Sequence, residues 1–197
     1  MSQFPAGLGI FELRNTMKII ETGFKGLYEI EPSVFGDQRG YFFESYRKEL
    51  YHELGIKEDF VQDNESYSVK GTLRGLHYQT GDYAQAKLVR VITGKVLDVA
   101  VDIRKDSPTF GKHHTVLLEA EKHNMFLVPS GFAHGFVALE DSIFFYKCSN
   151  YYHKASEGGI LWNDPLLNID WGIENPIVSE KDKVLSNFAA YKEDPAF

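Results

Sequence analysis

The sequence predicts an all-β protein, a single jelly-roll barrel or sandwich with a few short peripheral helices. From residue 60 onward, strand-like segments recur about every 8 to 12 residues, the spacing typical of sandwiches and barrels. The chain also carries 15 Phe and 11 Tyr, whose side chains pack well on a pleated surface. No repeat, linker or low-complexity stretch interrupts the 197 residues, so we expect one domain with a core of its own.

The composition disfavours two classes of binding partner, nucleic acids and membranes. A formal net charge of -7 disfavours nucleic-acid binding, since the neutralisation of phosphates requires a basic surface. The single cysteine, Cys148, has no second thiol for an internal disulfide, and no secretory signal opens the chain, so we expect a cytoplasmic protein. No apolar run approaches the roughly 20 residues that span a bilayer, and we therefore expect no membrane partner.

The first half of the chain is the less regular half. Residues 1–16 match no strong pattern, and we interpret them as an extension, native or engineered, before a single domain over residues 17–197. Residues 45–55, SYRKELYHELG, place apolar side chains at helical spacing, and Gly55 is a plausible stop. This segment is the clear helix that we predict in the first half.

The second half alternates apolar segments with turn residues. Residues 87–92 and 95–101 read as strands joined at Thr93 and Gly94, which predicts a hairpin. Further strands are predicted at residues 115–119, 125–128, 135–139 and 143–147.

Polar side chains are concentrated in two neighbouring segments, QDNESYS at residues 62–68 and GTLRGLHYQ at residues 71–79. Ordinary packing of strands does not require so many amide, hydroxyl, guanidinium and imidazole groups. Glycines in the second segment allow the backbone to bend while Arg74 and His77 are presented close together. The pattern predicts a site for a small anionic ligand that requires proton chemistry.

A second motif indicates the type of jelly roll. Pro129, Gly131 and His134 form a Pro-x-Gly-x-x-His pattern that resembles the second motif of the cupin superfamily, whose barrels hold a ligand inside. In metal-binding cupins the first motif supplies two imidazoles and a carboxylate, because a divalent ion needs several convergent donors. Here the corresponding residues, His77-Tyr78-Gln79, supply one imidazole, so we predict a cupin-type jelly roll without a catalytic metal.

Seven motifs follow one another along the chain. They are QDN at 62–64, LRGLHYQ at 73–79, AQAKLVRV at 84–91, DVAVDIRKDSPTFG at 98–111, PSGFAHGF at 129–136, WNDP at 162–165 and SEKD at 179–182. Together, and in this order, they closely resemble the dTDP-4-dehydrorhamnose 3,5-epimerase family. The resemblance extends from residue 17 to about residue 185, so it is far more specific than any lone motif.

The resemblance implies an isomerase that acts on a dTDP-linked 4-keto-6-deoxy sugar. It would convert dTDP-4-dehydro-6-deoxy-D-glucose into dTDP-4-dehydro-L-rhamnose, without a cofactor, in dTDP-L-rhamnose biosynthesis. The two carbons that are inverted, C3 and C5, lie next to the ketone and carry acidic protons. Inversion needs a base on one face, an acid on the other and a donor for the enolate oxygen.

The family's catalytic positions match four residues of this chain. His77 would be the base, because an imidazole titrates near neutrality, and Asp182 would orient it. Lys87 would stabilise the enolate, and Tyr146 would deliver a proton from the opposite face. Simpler interpretations remain open, since Asp182 also fits a helix-capping pattern with Ser179, and Tyr146 could be a core aromatic residue.

The resemblance also implies a set of substrate-binding residues and a homodimer, in which Arg39 and Glu44 could complete the site of the partner subunit. His134 could instead be a structural histidine, and Glu157 and Lys181 could be solvated surface charges. The ten implied positions are Arg39, Glu44, Gln62, Asp63, Asn64, Arg74, His134, Tyr152, Glu157 and Lys181.

Three alternative functions are compatible with the same sequence. One is an epimerase acting at C3 or C5 alone, or a 3,4-ketoisomerase, and Tyr146 is the residue that favours double epimerisation over these. The second is a non-catalytic cupin-like module that binds nucleotide sugars. The third is a metal-dependent cupin oxygenase, which would need more ligands than the first motif supplies.

Overall fold

The computed structural model describes residues 17–53 and 55–197, which form two six-stranded sheets and a two-stranded ribbon. Two short α-helices accompany the strands within these residues. The strands are β1 (Met17–Glu21), β2 (Tyr28–Pro32), β3 (Phe35–Asp37), β4 (Gly40–Phe42), β5 (Gln62–Ser68), β6 (Thr72–Gln79), β7 (Lys87–Thr93), β8 (Lys95–Asp102), β9 (His113–Glu119), β10 (Met125–Val128), β11 (Phe132–Ala138), β12 (Ser142–Cys148), β13 (Glu157–Gly159) and β14 (Ile177–Val178), and the helices are α1 (Lys48–Glu53) and α2 (Phe188–Glu193).

The order of strands is that of a jelly roll, as predicted. The first sheet has the order β1-β2-β10-β7-β12-β5, and the second has the order β13-β6-β11-β8-β9 with β14 beside β6. Neighbours are antiparallel except for the pair β14 and β6. Strands that follow one another along the chain often belong to opposite sheets, so the chain repeatedly crosses between the two layers.

Apolar side chains from both sheets interdigitate between them. Along β8, Val96 and Ala100 belong to this inner cluster, whereas Val99 and Val101 belong to a second cluster on the outer face. Alternate residues of a strand point to opposite faces, so the side chain of Asp98 also points between the sheets. The inner cluster includes Leu27, Val89, Val91, Val116, Leu118, Phe126, Val128, Phe132, Phe136 and Phe144.

The outer faces of both sheets are covered as well. Leu50 and Tyr51 of α1 pack against Met125 and Leu127 on the first sheet. The C-terminal segment, which includes Trp171 and α2, packs against the second sheet. Because both of their faces are covered, β10 and β11 are buried along their whole length, which explains why β10 is a continuous apolar run and why His134 is the single strongly polar side chain of β11.

The predicted hairpin at Thr93 and Gly94 is wrong. β7 belongs to the first sheet and β8 to the second, so the turn between them carries the chain across the sandwich instead of pairing the two strands. Gly94 has a φ of +79°, and a Cβ at this position would collide with the backbone oxygen of Asp141. The turn itself is present, but β7 pairs with β10 and β12, and β8 pairs with β9 and β11.

The other predicted elements are present, most of them with shifted ends. The strands predicted in the second half all occur. The helix predicted at residues 45–55 is shorter and runs over Lys48–Glu53. The proposed extension, residues 1–16, lies outside the described residues. Among the described helices, none is long and apolar enough to cross a membrane.

Candidate active site

Two cavities open between the sheets and meet at three side chains. The larger has a volume of about 480 Å³ and the smaller a volume of about 340 Å³. His77, Lys87 and Tyr146 line both of them. An imidazole, an ammonium and a phenol therefore surround one junction, and each of them was predicted as a catalytic residue.

An irregularity at Gly75 directs both Arg74 and His77 into the larger cavity. In regular β-structure, residues three apart point to opposite faces of a sheet. Opposite β11, however, the register shifts, since His77 pairs with His134 whereas Arg74 pairs with Phe136. Three steps along β6 thus match two steps along β11, and the extra residue restores both side chains to the same face.

Gly75 is required at this position for steric reasons. Its φ of +135° lies in a region that L-residues rarely adopt, and a Cβ would lie 2.6 Å from the Cα of Gly135. Its backbone N–H donates to Asp182 Oδ2 at 3.2 Å. The glycine therefore shapes the strand, allows close approach of β11 and helps to hold the carboxylate.

His77 and Asp182 form a hydrogen-bonded pair. The distance between His77 Nε2 and Asp182 Oδ1 is 2.7 Å, and the other carboxylate oxygen accepts from Gly75. Burial disfavours the charged carboxylate, but these bonds outweigh it and hold the pKa of Asp182 below its usual value. The pair leaves Nδ1 of His77 without a partner among the described residues, so this nitrogen can serve as a base.

Ser179 also makes the capping contact that the sequence suggests, but with the backbone N–H of Asp182. Ser179 Oγ accepts from the backbone N–H of Asp182 at 3.1 Å, at the start of the 3-10 turn Asp182–Val184. The carboxylate of Asp182 is directed towards His77 and Gly75 instead. Thus the cap positions the residue whose side chain orients the imidazole.

Lys87 is half-buried at the junction of the cavities. Burial lowers the pKa of its ammonium, while Cys148, Asp98 and Glu157 act in the opposite direction. Its Nζ lies 5.9 Å from the centre of the Tyr146 ring. A desolvated ammonium in such a place interacts strongly with any negative charge that develops on a ligand.

Tyr146 lies on β12, with its ring against Phe144. Burial raises the pKa of the phenol, and Arg74 partly opposes this effect. The hydroxyl is therefore protonated at neutral pH. Arg74 is itself fixed by two bonds, from Nε to Ser68 Oγ at 3.0 Å and from Nη2 to Tyr67 O at 3.1 Å.

The smaller cavity is lined by four of the predicted binding residues. Gln62 donates from Nε2 to Asn64 Oδ1 at 3.1 Å, and Tyr152 donates from its hydroxyl to Glu157 Oε2 at 3.1 Å. Lys181, which lines the larger cavity, pairs with Glu157 Oε1 at 2.6 Å. Burial opposes ionisation of Glu157, but Lys181 and Tyr152 bring the pKa of its carboxyl below the usual value.

Three predicted binding residues lie elsewhere. Asp63 points to the outer face of β5 and pairs with Lys147 at 2.9 Å, because it lies between the inward-facing Gln62 and Asn64. Arg39 is exposed in the β3–β4 ribbon, where its Nε donates to Asp37 at 3.1 Å. Glu44 pairs with Arg47 at 3.0 Å. None of these three lines either of the two cavities.

A second imidazole and carboxylate pair lies beside the same cavity, and it joins the predicted binding residue His134 to Asp98, for which the sequence predicts no role. His134 Nε2 lies 2.8 Å from Asp98 Oδ1, and both side chains are buried. The signal in the sequence was a lone aspartate within the apolar strand KVLDVAV. The cavities are also lined by Ser66, Thr72, Gln79 and Gln85, which belong to the polar segments and motifs of the sequence but have no predicted individual role.

Across residues 17–53 and 55–197, no group of three or more His, Cys, Asp or Glu side chains is arranged to hold a metal ion.

The fold and the site define a class, that of cupin-type jelly rolls equipped for acid–base chemistry on a ligand held between the sheets. The model of the dTDP-4-dehydrorhamnose 3,5-epimerase family matches residues 21–190. The chain belongs to this family.

Individual relatives agree with this assignment. The chain is 53% identical, over 168 residues, to dTDP-4-dehydrorhamnose 3,5-epimerase from Shigella flexneri, with 84% of this chain and 93% of the relative covered. A solved structure of the 3,5-epimerase from Legionella pneumophila, in complex with dTDP-4-keto-L-rhamnose, is 47% identical and superposes with a TM-score of 0.87. That comparison covers 92% of this chain and 98% of the Legionella chain.

The fold is shared with an enzyme of narrower specificity. A 3'-monoepimerase from Streptomyces bikiniensis, solved in complex with dTDP-quinovose, is 32% identical with a TM-score of 0.81. The comparison covers 86% of this chain and 87% of that one. The jelly roll alone therefore does not specify how many carbons are inverted.

Proposed function

We propose that this chain converts dTDP-4-dehydro-6-deoxy-D-glucose into dTDP-4-dehydro-L-rhamnose by exchanging the protons at C3 and C5. The observation that carries the proposal is that His77, Lys87 and Tyr146 line both cavities at their junction. Family membership supports the identity of the substrate. The reaction is an isomerisation in dTDP-L-rhamnose biosynthesis, and we propose that it needs no cofactor.

His77 acts as the base in this mechanism. Nε2 is engaged by Asp182 at 2.7 Å, so Nδ1 takes the proton from the carbon next to the ketone. The imidazolium that forms is stabilised by the ionised carboxylate, in the manner of a base held by a third group. The electron pair of the broken C–H bond moves into the enolate, whose negative charge develops on the ketone oxygen.

Lys87 stabilises that oxygen. The partly desolvated ammonium interacts with the enolate more strongly than a fully exposed one would, because less water screens the two charges. The support for this role is the position of Lys87 at the junction of the cavities, together with the distance of 5.9 Å between its Nζ and the centre of the Tyr146 ring.

Tyr146 returns a proton to the opposite face of the enolate, which inverts the carbon. The tyrosinate that remains regains a proton from solvent, while His77 releases its own, so the enzyme is restored for the second carbon. Burial raises the pKa of the phenol, which makes it a weak acid. Arg74, Lys87 and the negative charge of the enolate all favour the transfer.

The nucleotide binds through residues around the two cavities. Arg74 and Lys181 supply positive charge for the diphosphate, and a guanidinium suits it because its planar fork donates two bonds at once. Tyr152, at the rim of the smaller cavity, stacks on the thymine ring. The side chains of Gln62, Asn64 and Glu157 line the same cavity, and Asp63 would contribute through its backbone.

We also propose that the protein acts in the cytoplasm as a homodimer. Arg39 and Glu44 lie outside the cavities of their own chain and would serve the site of the partner subunit. The ribbon that carries Arg39 exposes Phe35, Tyr41 and Phe42, apolar surface suited to a protein contact. An Arg39→Ala chain should bind nucleotide poorly at concentrations where the dimer is intact.

The reaction in heavy water tests the function directly. The purified protein and the 4-keto substrate are mixed in D₂O, and the ring protons are followed by NMR. Deuterium should enter at both C3 and C5, and dTDP-4-dehydro-L-rhamnose should accumulate. Exchange at neither carbon would refute the proposal. Substrate without protein serves as the control, because protons next to a ketone exchange slowly on their own.

A single-centre epimerase is the second candidate, and the likeness to the 3'-monoepimerase is the observation that keeps it in view. The same NMR experiment separates the two functions. Exchange confined to one carbon, with a single inverted product, would establish the narrower activity.

A further inference from the structure

Asp98 is a buried carboxylate with one free oxygen. It lies in the middle of β8, points between the two sheets and has no exposed surface. Oδ1 is 2.8 Å from His134 Nε2, whereas Oδ2 has no hydrogen-bond partner among the described residues. Buried polar atoms are normally paired, so an unpaired charged oxygen at this place requires an explanation.

The same strand provides a direct contrast. Asp102 is equally buried, four residues further along the same face of β8. Its oxygens accept from Arg104, Ser107 and Thr109, so its charge is fully compensated within the loop that follows. Asp102 serves the fold, and Asp98 is the carboxylate whose charge is left uncompensated.

The electrostatic influence of Asp98 reaches Lys87. Burial lowers the pKa of the Lys87 ammonium, and Asp98 is among the groups that oppose this effect. The others are Cys148, which is a neutral thiol because burial raises its pKa, and Glu157, which is already paired with Lys181 at 2.6 Å. Asp98 is therefore the negatively charged neighbour of Lys87 whose charge is not already balanced by another cation.

The remaining neighbours of the two basic groups supply no competing anion. Tyr146 faces Lys87 from β12, and its phenol is protonated because burial raises its pKa. His77 pairs with His134 across β6 and β11, and it is already bonded to Asp182. Around His134, Phe144 contributes only an apolar ring.

We propose that Asp98 is a positioning residue of the epimerisation, which fixes the ring of His134 in the cavity that this imidazole shares with Lys87. The inference rests on the proposed function and adds to it a residue that touches neither ligand nor reacting atom. Its Oδ1 sets the orientation of the imidazole, and its negative charge favours the protonated form of Lys87 when the enolate forms.

The hydrogen bond determines which nitrogen of His134 faces the cavity as an acceptor. An ionised carboxylate only accepts, so Nε2 must carry the hydrogen. In the neutral ring Nδ1 then holds a lone pair, and it has no partner among the described residues. Since His134 lines the larger cavity, Nδ1 is available to accept from a hydroxyl group of the ligand.

The test compares Asp98→Asn with Asp102→Asn. Both changes remove one buried charge from β8, but only the first affects His134 and Lys87. We measure kcat and KM against pH for each variant. Loss of the charge at Asp98 should lower the pKa of Lys87 further, so the alkaline limb of the kcat profile should move about one pH unit towards acid. At neutral pH, kcat should fall about tenfold or more, with a smaller change in KM.

Asp102→Asn should leave the alkaline limb in place, even if it lowers the melting temperature. An Asp98→Asn enzyme whose profile coincides with that of the wild type would overturn the inference. If Asp98→Asn does not fold, Asp98→Glu retains the negative charge, and its kcat profile should keep the alkaline limb at the wild-type pH, with a lower kcat. A shifted alkaline limb in Asp98→Glu would also overturn the inference.

A second measurement needs no turnover. A ¹⁵N NMR titration of the wild-type histidines, with His134 assigned from a His134→Gln variant, should show the tautomer with hydrogen on Nε2. Hydrogen on Nδ1 would refute the positioning role. If the wild type does not exchange the substrate, the proposed function fails, whereas the NMR result on His134 still decides the role of Asp98.

Discussion

At the larger cavity, two imidazole and carboxylate pairs lie almost face to face and differ in their access to solvent. His77 and His134 are register partners across β6 and β11. The side chains of the first pair, His77 and Asp182, are 28% and 5% exposed, and both carboxylate oxygens are bonded. Those of the second pair, His134 and Asp98, are 7% and 0% exposed, and one oxygen is free.

The difference shows how a hydrogen-bonded pair of an imidazole and a carboxylate can serve two purposes. A base must exchange protons with its surroundings, so its imidazole needs access to the cavity. It also needs a carboxylate partner whose two oxygens are both hydrogen-bonded. A group that supplies charge is more effective when it is buried, because water does not screen it. The first pair takes its carboxylate from a surface turn, whereas the second takes it from the middle of a strand.

The strongest way to break this comparison is His77→Asn. Removal of the base should reduce turnover roughly 10²- to 10⁴-fold, the usual contribution of general base catalysis, while the fold is retained. Deuterium incorporation at C3 and C5 provides the measurement. His114→Asn is the matched control, since His114 pairs with Glu29 at 2.8 Å outside both cavities. Substantial exchange in the His77 variant would remove this residue from the role of base.

Asp182→Asn should reduce kcat roughly 10²-fold, less than loss of the base itself, because the imidazole remains but its charged form loses its stabilising partner. Ser179→Ala is the comparison, since it removes the hydroxyl that accepts from the backbone N–H of Asp182 and helps to lower the pKa of its carboxyl, but keeps the carboxylate itself. Steady-state kinetics of both variants make the measurement. Equal losses would mean that the position of the turn, and not the charge, matters.

Gly75→Ala tests the backbone that separates the two pairs. The new Cβ would lie 2.6 Å from the Cα of Gly135, in a conformation that L-residues rarely adopt. We expect a loss of about 3 kcal/mol in the free energy of unfolding. Gly81→Ala adds a methyl group at a φ of +59° with nothing within 4 Å, and should cost about 1 kcal/mol. Urea unfolding compares them, and similar losses would contradict the steric argument.

The smallest expected effect is an acid-dependent difference in stability. The pKa of Asp182 is below its usual value, so its ionised form stabilises the folded state fully above the ordinary carboxyl pKa of about 3.9. This contribution is lost as the pH falls through the lowered value. The melting temperature of the wild type should therefore exceed that of Asp182→Asn at pH 6, and the gap should narrow below pH 4. A constant gap would show that the carboxylate is not stabilised in the fold.

Much of the fold was predictable because the strands carry strong local signals. Strand β10, predicted at residues 125–128, has these same bounds, since four apolar residues between turns allow few other structures. The false hairpin at Thr93 and Gly94 has a different origin. Local patterns specify a turn, but which strands pair is decided by contacts between segments that are distant in sequence.

The candidate site was predictable where motifs were long and unpredictable where geometry decided. The triplet Gln62-Asp63-Asn64 was predicted as a unit, yet a strand points only alternate side chains inward, so Asp63 faces outward. The shift of register at Gly75 needs the opposite strand to be seen. Asp98 was missed because a single aspartate in a strand is more often solvated than buried.

The junction of the two cavities also suggests how the protein could be inhibited. A compound that places one fragment in each cavity must pass between His77, Lys87 and Tyr146. Joining two weak fragments turns the second binding event into an intramolecular one, which raises affinity without new contacts. A neutral linker that occupies this crossing point would obstruct the proton path while the fragments at either end supply the selectivity.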